Sequence, residues 1–258
     1  MRSPARFKVI AAGRRSGKSE LAKRDIVARW ATSPIETGRA DWFGIACAPT
    51  RDQAKAIYWD DLKERVPQEL VAKIRETDLT IQHVDGPTLA VVGMDKPARA
   101  EGRPIDCAKV DEIADMKPGV WSKHLRPALD TDGRPGSAWI YGVSRPSAEF
   151  QHLANYAQQG LDKDWEYFWW PSSDILAPEV IEAAKRELDE NTFRQEYGAE
   201  FVLPSGRAYY TFDRNANVKD SVPYDPDAPL IFGFDFNVEP GSAVVCQDVG
   251  PMTYVLGE

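Results

Sequence analysis

Cysteine and histidine are scarce in this sequence, at three residues each, and no apolar run approaches the ~18 residues needed to cross a membrane. Cys47, Cys107 and Cys246 stand far apart, in neither a metal-binding spacing nor a disulfide framework, which favours a reducing, cytosolic compartment. His83, His124 and His152 are equally scattered and read as ordinary surface or core histidines. No Ser-His-Asp or Cys-His arrangement stands out, and no internal repeat is visible. The opening stretch MRSPARFKVIAAG has the basic start of a secretion signal. Its apolar core, Val9 to Ala12, is too short for one and leads into RRSGKS, so a strand is the better reading.

An excess of positive charge is also missing. The net charge is −8, and residues 204–258 carry 3 basic and 8 acidic side chains, whereas residues 1–30 carry 9 basic and 2 acidic. A nearly neutral body with a basic N-terminal patch permits local phosphate contacts but does not indicate tight DNA binding by one subunit alone. A ring of subunits presenting one basic face inward would reconcile the two. The length, 258 residues, suffices for a sizeable core in one or two domains.

What is present is an alternation of strands and helices. Phe7 to Ala12 reads as a buried strand, followed by a glycine-containing turn and a helix from about Lys18 to Trp30. Trp42 to Ala48 is a second strand, and Gln53 to Arg65 a helix with Ala54, Ile57, Tyr58 and Leu62 on one stripe. Thr77 to Val84 and Pro87 to Gly93 alternate around an Asp85-Gly86 turn, and Ile105 to Val110 is a short strand ending in acids. Val120 to Arg126 is a short helix stopped by Pro127. Ala138 to Val143 and Tyr167 to Trp170 are strands, with a helix near Ala148 to Gln159 between them and one long helix from Pro178 to Tyr197 after them. This order predicts an α/β fold with a mainly parallel central sheet over residues 1–203. Residues 204–229, rich in Pro, Asp, Asn and Tyr, read as a linker. Residues 230–258 hold two or three strands, too few for an independent domain.

The most specific motif is AGRRSGKS, Ala12 to Ser19, a phosphate loop with Ala12 in the first glycine position. Gly13, Arg14, Arg15, Ser16 and Gly17 form the turn, where backbone amides and a helix N-terminus suit an anion. Lys18 is placed to neutralise the β- and γ-phosphates, and the Ser19 hydroxyl to coordinate Mg²⁺ beside ATP. Arg14 and Arg15 are open to three readings, as contacts to the γ-phosphate, to a neighbouring subunit, or to solvent. In IDCAKVDE, Asp111 would hold the Mg²⁺ shell and Glu112 would polarise the attacking water, although a bare acidic pair means little without the loop. Asp106 and Lys109 are unusually polar for such a strand. Ser144, in YGVSRP at the tip of the next strand, is a candidate γ-phosphate sensor or simply a turn residue.

Taken in order, these segments resemble the large terminase subunit of tailed bacteriophages. AGRRSGKS is similar to that family's arginine-rich phosphate loop, and WFGIACAPTRDQAKAIYWDDL to the stretch after its second strand. KVDEIADM resembles its acidic strand end, YGVSRP its coupling motif, NTFRQEYGAEFV the close of its ATPase domain, and IFGFDFN the first strand of its ribonuclease H-like nuclease. The resemblance implies a P-loop ATPase of the additional-strand, catalytic-glutamate type with a truncated C-terminal β segment, working in the host-cell cytoplasm. It implies Mg²⁺ with ATP, double-stranded DNA as the translocated partner, a homo-oligomeric ring on a portal, a small terminase subunit, and no membrane. Glu112, Lys18 and Arg14 would be catalytic and Ser144 coupling. An arginine donated in trans would be Arg99 or Arg103, since the usual Arg-Gly place reads Glu101-Gly102. The family's adenine-contacting glutamine has no counterpart before Ala12. Asp235 matches the first metal-binding acid of the nuclease, and with the remaining acids expected beyond Glu258 this chain should not cut DNA. Two rival readings are a helicase-like repair or recombination ATPase, which calls for a second motor lobe, and a non-hydrolysing nucleotide-binding assembly protein, which would have no need of Glu112.

Overall fold

The computed structural model describes residues 3–100, 102–131, 133–202, 217–219, 221–235 and 242–257, without the side chains of Arg99, Ala100, Asp235 and Ser242. The chain divides into two compact units, residues 1–203 and 204–258.

In the first unit, β1 (Phe7–Ala12) leads into α1 (Lys18–Thr37), then β2 (Phe43–Ala48), α2 (Arg51–Ala54), a π-helical turn (Lys55–Trp59) and α3 (Asp60–Arg65). Strands β3 (Val71–Arg75), β4 (Thr80–His83), β5 (Thr88–Gly93) and β6 (Cys107–Asp111) follow. A second π-helical turn (Val120–Leu125), α4 (Arg126–Ala128) and the small ribbon β7 (Asp130–Thr131) and β8 (Arg134–Pro135) lead to β9 (Ser137–Gly142). The unit closes with α5 (Ala148–Gln158), β10 (Trp165–Trp170), α6 (Pro178–Glu187) and α7 (Glu190–Glu196). The central sheet has the order β10-β1-β9-β6-β2-β5-β4-β3. Pairing is parallel from β10 to β5, and β4 and β3 extend that edge antiparallel. The mainly parallel α/β fold expected above is therefore present. Both faces are covered, which is why β1 and β2 are buried at every position, β2 as a continuous apolar run and β1 interrupted only by Lys8. Phe7, Val9, Ile45, Val110 and Ile140 pack with α5 and the second π turn, while Ala46, Ala48 and Cys107 pack with α1, α3 and Tyr58 on the other face.

Several elements depart from the sequence pattern for local reasons. Helix α1 continues past Trp30 and through Pro34 to Gly38, whose φ of 65° ends it. Proline cannot donate to the Trp30 carbonyl, and the Ser33 hydroxyl does so instead at 2.9 Å, which spares the helix a break. The π turn adds a residue to the helical repeat, so Tyr58 and Trp59 are buried in succession and Ile57 is left half-buried. Strand β3 leaves no clear pattern in the sequence, because a half-exposed edge strand with lysine and arginine lacks apolar alternation. Pro127 lies within the first turn of α4 rather than stopping a helix. The single helix expected from Pro178 to Tyr197 is two. Leu188 adopts an extended ψ of 148°, and the Asp189 carboxylate caps α7 by accepting from the Thr192 amide at 3.0 Å.

The second unit holds β11 (Ile231–Asp235), β12 (Ser242–Val249) and β13 (Met252–Gly257) in an antiparallel meander. Asp235 ends β11, and its side chain lies outside the described residues, as does most of the expected linker before Val218.

Candidate functional site

The loop between β1 and α1 sits at the carboxyl end of the parallel strands, where α/β sheets place ligands. Gly17 caps α1 with φ 85°, and Arg15 also lies in the left-handed region at 56°. Neighbouring segments strap the loop down. The Gly13 amide donates to the Trp170 carbonyl at 3.1 Å and the Arg14 amide to the Glu196 carbonyl at 2.6 Å. The Ser172 hydroxyl donates to the Arg14 carbonyl at 2.7 Å and the Trp170 indole to the Ser16 carbonyl at 3.1 Å. Residues Arg15 to Glu20 line a cavity of about 290 Å³. A Cβ on Gly13 would come within 2.3 Å of the Ser172 hydroxyl and 2.6 Å of the Tyr197 carbonyl. Gly13→Ala is therefore expected to cost about 1–3 kcal/mol of stability, read from urea unfolding, as the strap is pushed off the loop. An unchanged midpoint would contradict this packing.

The acidic pair meets the loop from β6. Asp111 is buried, and its Oδ2 accepts from the Ser19 hydroxyl at 2.8 Å and from the Tyr58 hydroxyl at 3.1 Å. Glu112 turns off the strand with φ 50°, a left-handed backbone that is uncommon for glutamate and common at functional sites. Its Oε1 lies 3.9 Å from the Lys18 ammonium. Gly142 leaves room for the carboxylate, since a Cβ there would sit 3.3 Å from Glu112 Oε2. Burial raises the pKa of both carboxyls, opposed by the Ser19 hydrogen bond and Lys18 at Asp111 and by Lys18 at Glu112. Burial also lowers the Lys18 pKa, against the pull of Glu112 and Asp111. Among the described residues, Asp111 Oδ1, Glu112 Oε2 and Ser16 Oγ are buried without a hydrogen-bond partner. Buried polar atoms are rarely left so, and three around one loop point to a ligand that satisfies them. The arrangement can hold an anion against Lys18 and a hard cation against Ser19 and Asp111, with Glu112 beside both.

The other expected residues divide by position. The Arg14 guanidinium donates to Glu196 at 2.7 Å, and Arg145 bridges Glu196 at 2.7 Å to Asp115, so the loop, the β9 tip and α7 share one ion network. Arg15 is exposed. Ser144 is fully buried, and its hydroxyl donates to the Ala199 carbonyl at 2.8 Å. Arg103 stacks over Phe43, 3.5 Å from the ring centroid, at the amino end of β2, whereas the loop sits at the carboxyl end of the parallel strands. The side chain of Arg99 lies outside the described residues. The polar residues that precede the acidic pair, Asp106 just before β6 and Lys109 within it, are structural. Asp106 accepts from the Phe43 amide at 2.7 Å and pairs with Arg39 and Arg134, and fully buried Lys109 pairs with Asp25 of α1. Sequence reasoning missed Glu196, Asp115 and Tyr141 as site neighbours and read Tyr58 only as part of an apolar stripe. Each lies within a segment quoted above for the resemblance, but nothing in its residue type or spacing assigns it a role.

No family model matches the chain. Among curated proteins it is 28% identical over 279 residues to the terminase large subunit of Thermus virus P23-45, covering 91% of this chain and 56% of that protein. It is 27% identical over 184 residues to the terminase large subunit of Escherichia phage T5, covering 68% of this chain and 41% of that protein. The chain thus spans about half the length of the curated relatives it matches. Among solved structures, the Thermus phage P74-26 large terminase ATPase domain superposes with a TM-score of 0.66 at 26% identity, covering 78% of this chain and 90% of that one. The HK97 bacteriophage large terminase shares the fold, with a TM-score of 0.55 at 14% identity over 97% of this chain and 58% of that one. The resemblance read from the motifs is thus a resemblance of sequence and fold to phage large terminase subunits. Among the described residues no helix is long and apolar enough to cross a membrane.

Proposed function

We propose that this chain is the ATP-hydrolysing part of a phage large terminase subunit, a motor that moves double-stranded DNA into a preformed capsid. The observation that carries this reading is the convergence of Lys18, Ser19, Asp111 and Glu112 on one loop with three buried, unpartnered oxygens. In this reading the loop from Ala12 to Ser19 wraps the triphosphate, and Lys18 balances its β- and γ-phosphates. Ser19 and Asp111 would hold Mg²⁺, which supplies charge neutralisation on the β- and γ-oxygens; the paired oxygens 2.8 Å apart and the bare Asp111 Oδ1 suit such an ion. Glu112 would orient and deprotonate the attacking water, and its unpartnered Oε2 is free to accept that proton. Arg14, held by Glu196, would turn toward the γ-phosphate, and Arg145 ties the same glutamate to the tip carrying Ser144.

By the same reading residues 1–203 are the ATPase domain, 204–229 a linker and 230–258 the first strands of a ribonuclease H-like nuclease whose metal site begins at Asp235. A homo-oligomeric ring on the portal, aided by a small terminase subunit, would complete the motor in the host cytoplasm, with Arg99 or Arg103 reaching a neighbour's site. The test is ATP turnover with and without duplex DNA across a range of protein concentrations, with Lys18→Ala as the control. Turnover per subunit should rise with concentration, and Lys18→Ala should lower it at least ~10²-fold by removing charge stabilisation of the transferred phosphoryl group. Turnover that ignores concentration counts against a trans arginine, and an active Lys18→Ala protein counts against the whole assignment.

A further inference from the structure

Two tyrosines to which no motif assigns a role stand behind the acidic pair. Tyr58 from the π turn and Tyr141 from β9 are both fully buried, and their hydroxyls are hydrogen-bonded to each other. Tyr58 also donates to Asp111 Oδ2 at 3.1 Å, the oxygen that accepts from Ser19 on its other side. A phenol carries one proton. With that of Tyr58 given to Asp111, the proton between the two hydroxyls belongs to Tyr141, and the chain runs from Tyr141 to Tyr58 to Asp111. Tyr141 lies directly across the ladder from Asp111 and three residues before Ser144.

We infer that Tyr58 and Tyr141 are a positioning pair for Asp111, in which Tyr58 anchors Oδ2 to the protein so that Oδ1 stays aimed at the cation, and Tyr141 orients Tyr58 from the coupling strand. Neither touches nucleotide; both act through the carboxylate. Oδ2 is held from two sides, and only the Ser19 side belongs to the loop that binds nucleotide. Groups that orient a metal-binding carboxylate contribute about 10–100-fold to metal affinity. Tyr58 sits on the apolar stripe that already faces the core, between buried Ala54 and Leu62, and the π turn brings the following Trp59 in beside it. The inference rests on the reading of Ser19 and Asp111 as the Mg²⁺ holders.

The test is equilibrium binding of the non-hydrolysable analogue AMP-PNP to the 258-residue chain, once in Mg²⁺ and once in EDTA. The wild type should bind more tightly in Mg²⁺. Tyr58→Phe should weaken binding about 10–100-fold in Mg²⁺ and less than about twofold in EDTA, because only the cation's ligand has lost its anchor. Tyr141→Phe should follow in the same direction by about fivefold or less, the scale of one neutral hydrogen bond. The double variant should be no weaker than Tyr58→Phe, as expected for links in series. Equal weakening in EDTA, or no weakening in either variant, overturns the positioning role. Should Tyr58→Phe fail to fold, the Tyr141→Phe comparison decides by itself. A wild type that binds equally in Mg²⁺ and EDTA sinks the underlying Mg²⁺ reading instead, which separates the two failures.

Discussion

Glu112→Gln is expected to lower ATP turnover by about 10²–10⁴-fold, the usual worth of a general base, while ATP affinity changes by less than about threefold. Glutamine keeps the size of the side chain and so keeps the left-handed turn at φ 50° and the fit against Gly142. It cannot take a proton from water. Lys18, 3.9 Å from Glu112 Oε1, retains its place over the loop, so binding should persist without hydrolysis. The kcat/KM profile supplies a second check. Burial raises the Glu112 pKa above the ordinary 4.5, and Lys18 only partly opposes it. The base is active when ionised, so kcat/KM should be lost as pH falls through that raised value. The limb belongs to the coupled Asp111–Glu112 pair rather than to one residue. Substantial turnover by Glu112→Gln would remove Glu112 from the reaction.

The largest expected effect on stability lies away from the loop. Lys109, fully buried in β6, has its ammonium paired with Asp25 and 3.8 Å from the centroid of the Trp139 ring. Asp25→Ala leaves that charge with only an aromatic face. Removing one partner of a buried ion pair costs about 3–5 kcal/mol, whereas replacing both with apolar groups is often neutral. Asp25→Ala should therefore shift the urea midpoint strongly, and Asp25→Ala with Lys109→Met should recover most of the loss. The pH dependence has a definite sign. Burial alone would raise the Asp25 pKa, but Lys109 and Arg29 outweigh it and hold it below the ordinary 3.8. The stabilisation is thus complete above 3.8 and is lost as pH falls through the depressed native value. A single variant as stable as the wild type, or a double variant as unstable as the single, would mean that Lys109 finds another partner.

Residue types at fixed offsets made the strand-turn-helix at Ala12 to Ser19 legible, because its pattern is local: a strand, a turn with Gly17 at φ 85°, a lysine and a hydroxyl at a helix start. The same holds for the parallel sheet, since strands buried on both faces are mostly apolar. The partners of those residues were decided by packing. Glu196 reaches Arg14 across 182 positions of chain, and Tyr58 and Tyr141 approach Asp111 from two other elements. Lys109 looks out of place in a core strand until α1 brings Asp25 against it. A hydrogen bond between residues distant in the chain leaves no periodicity behind, because its energy depends on where the backbone carries each group. The amino-acid order by itself therefore determined which residues stand together at the turn between β1 and α1, and only the tertiary structure decided which distant groups meet and hold them there.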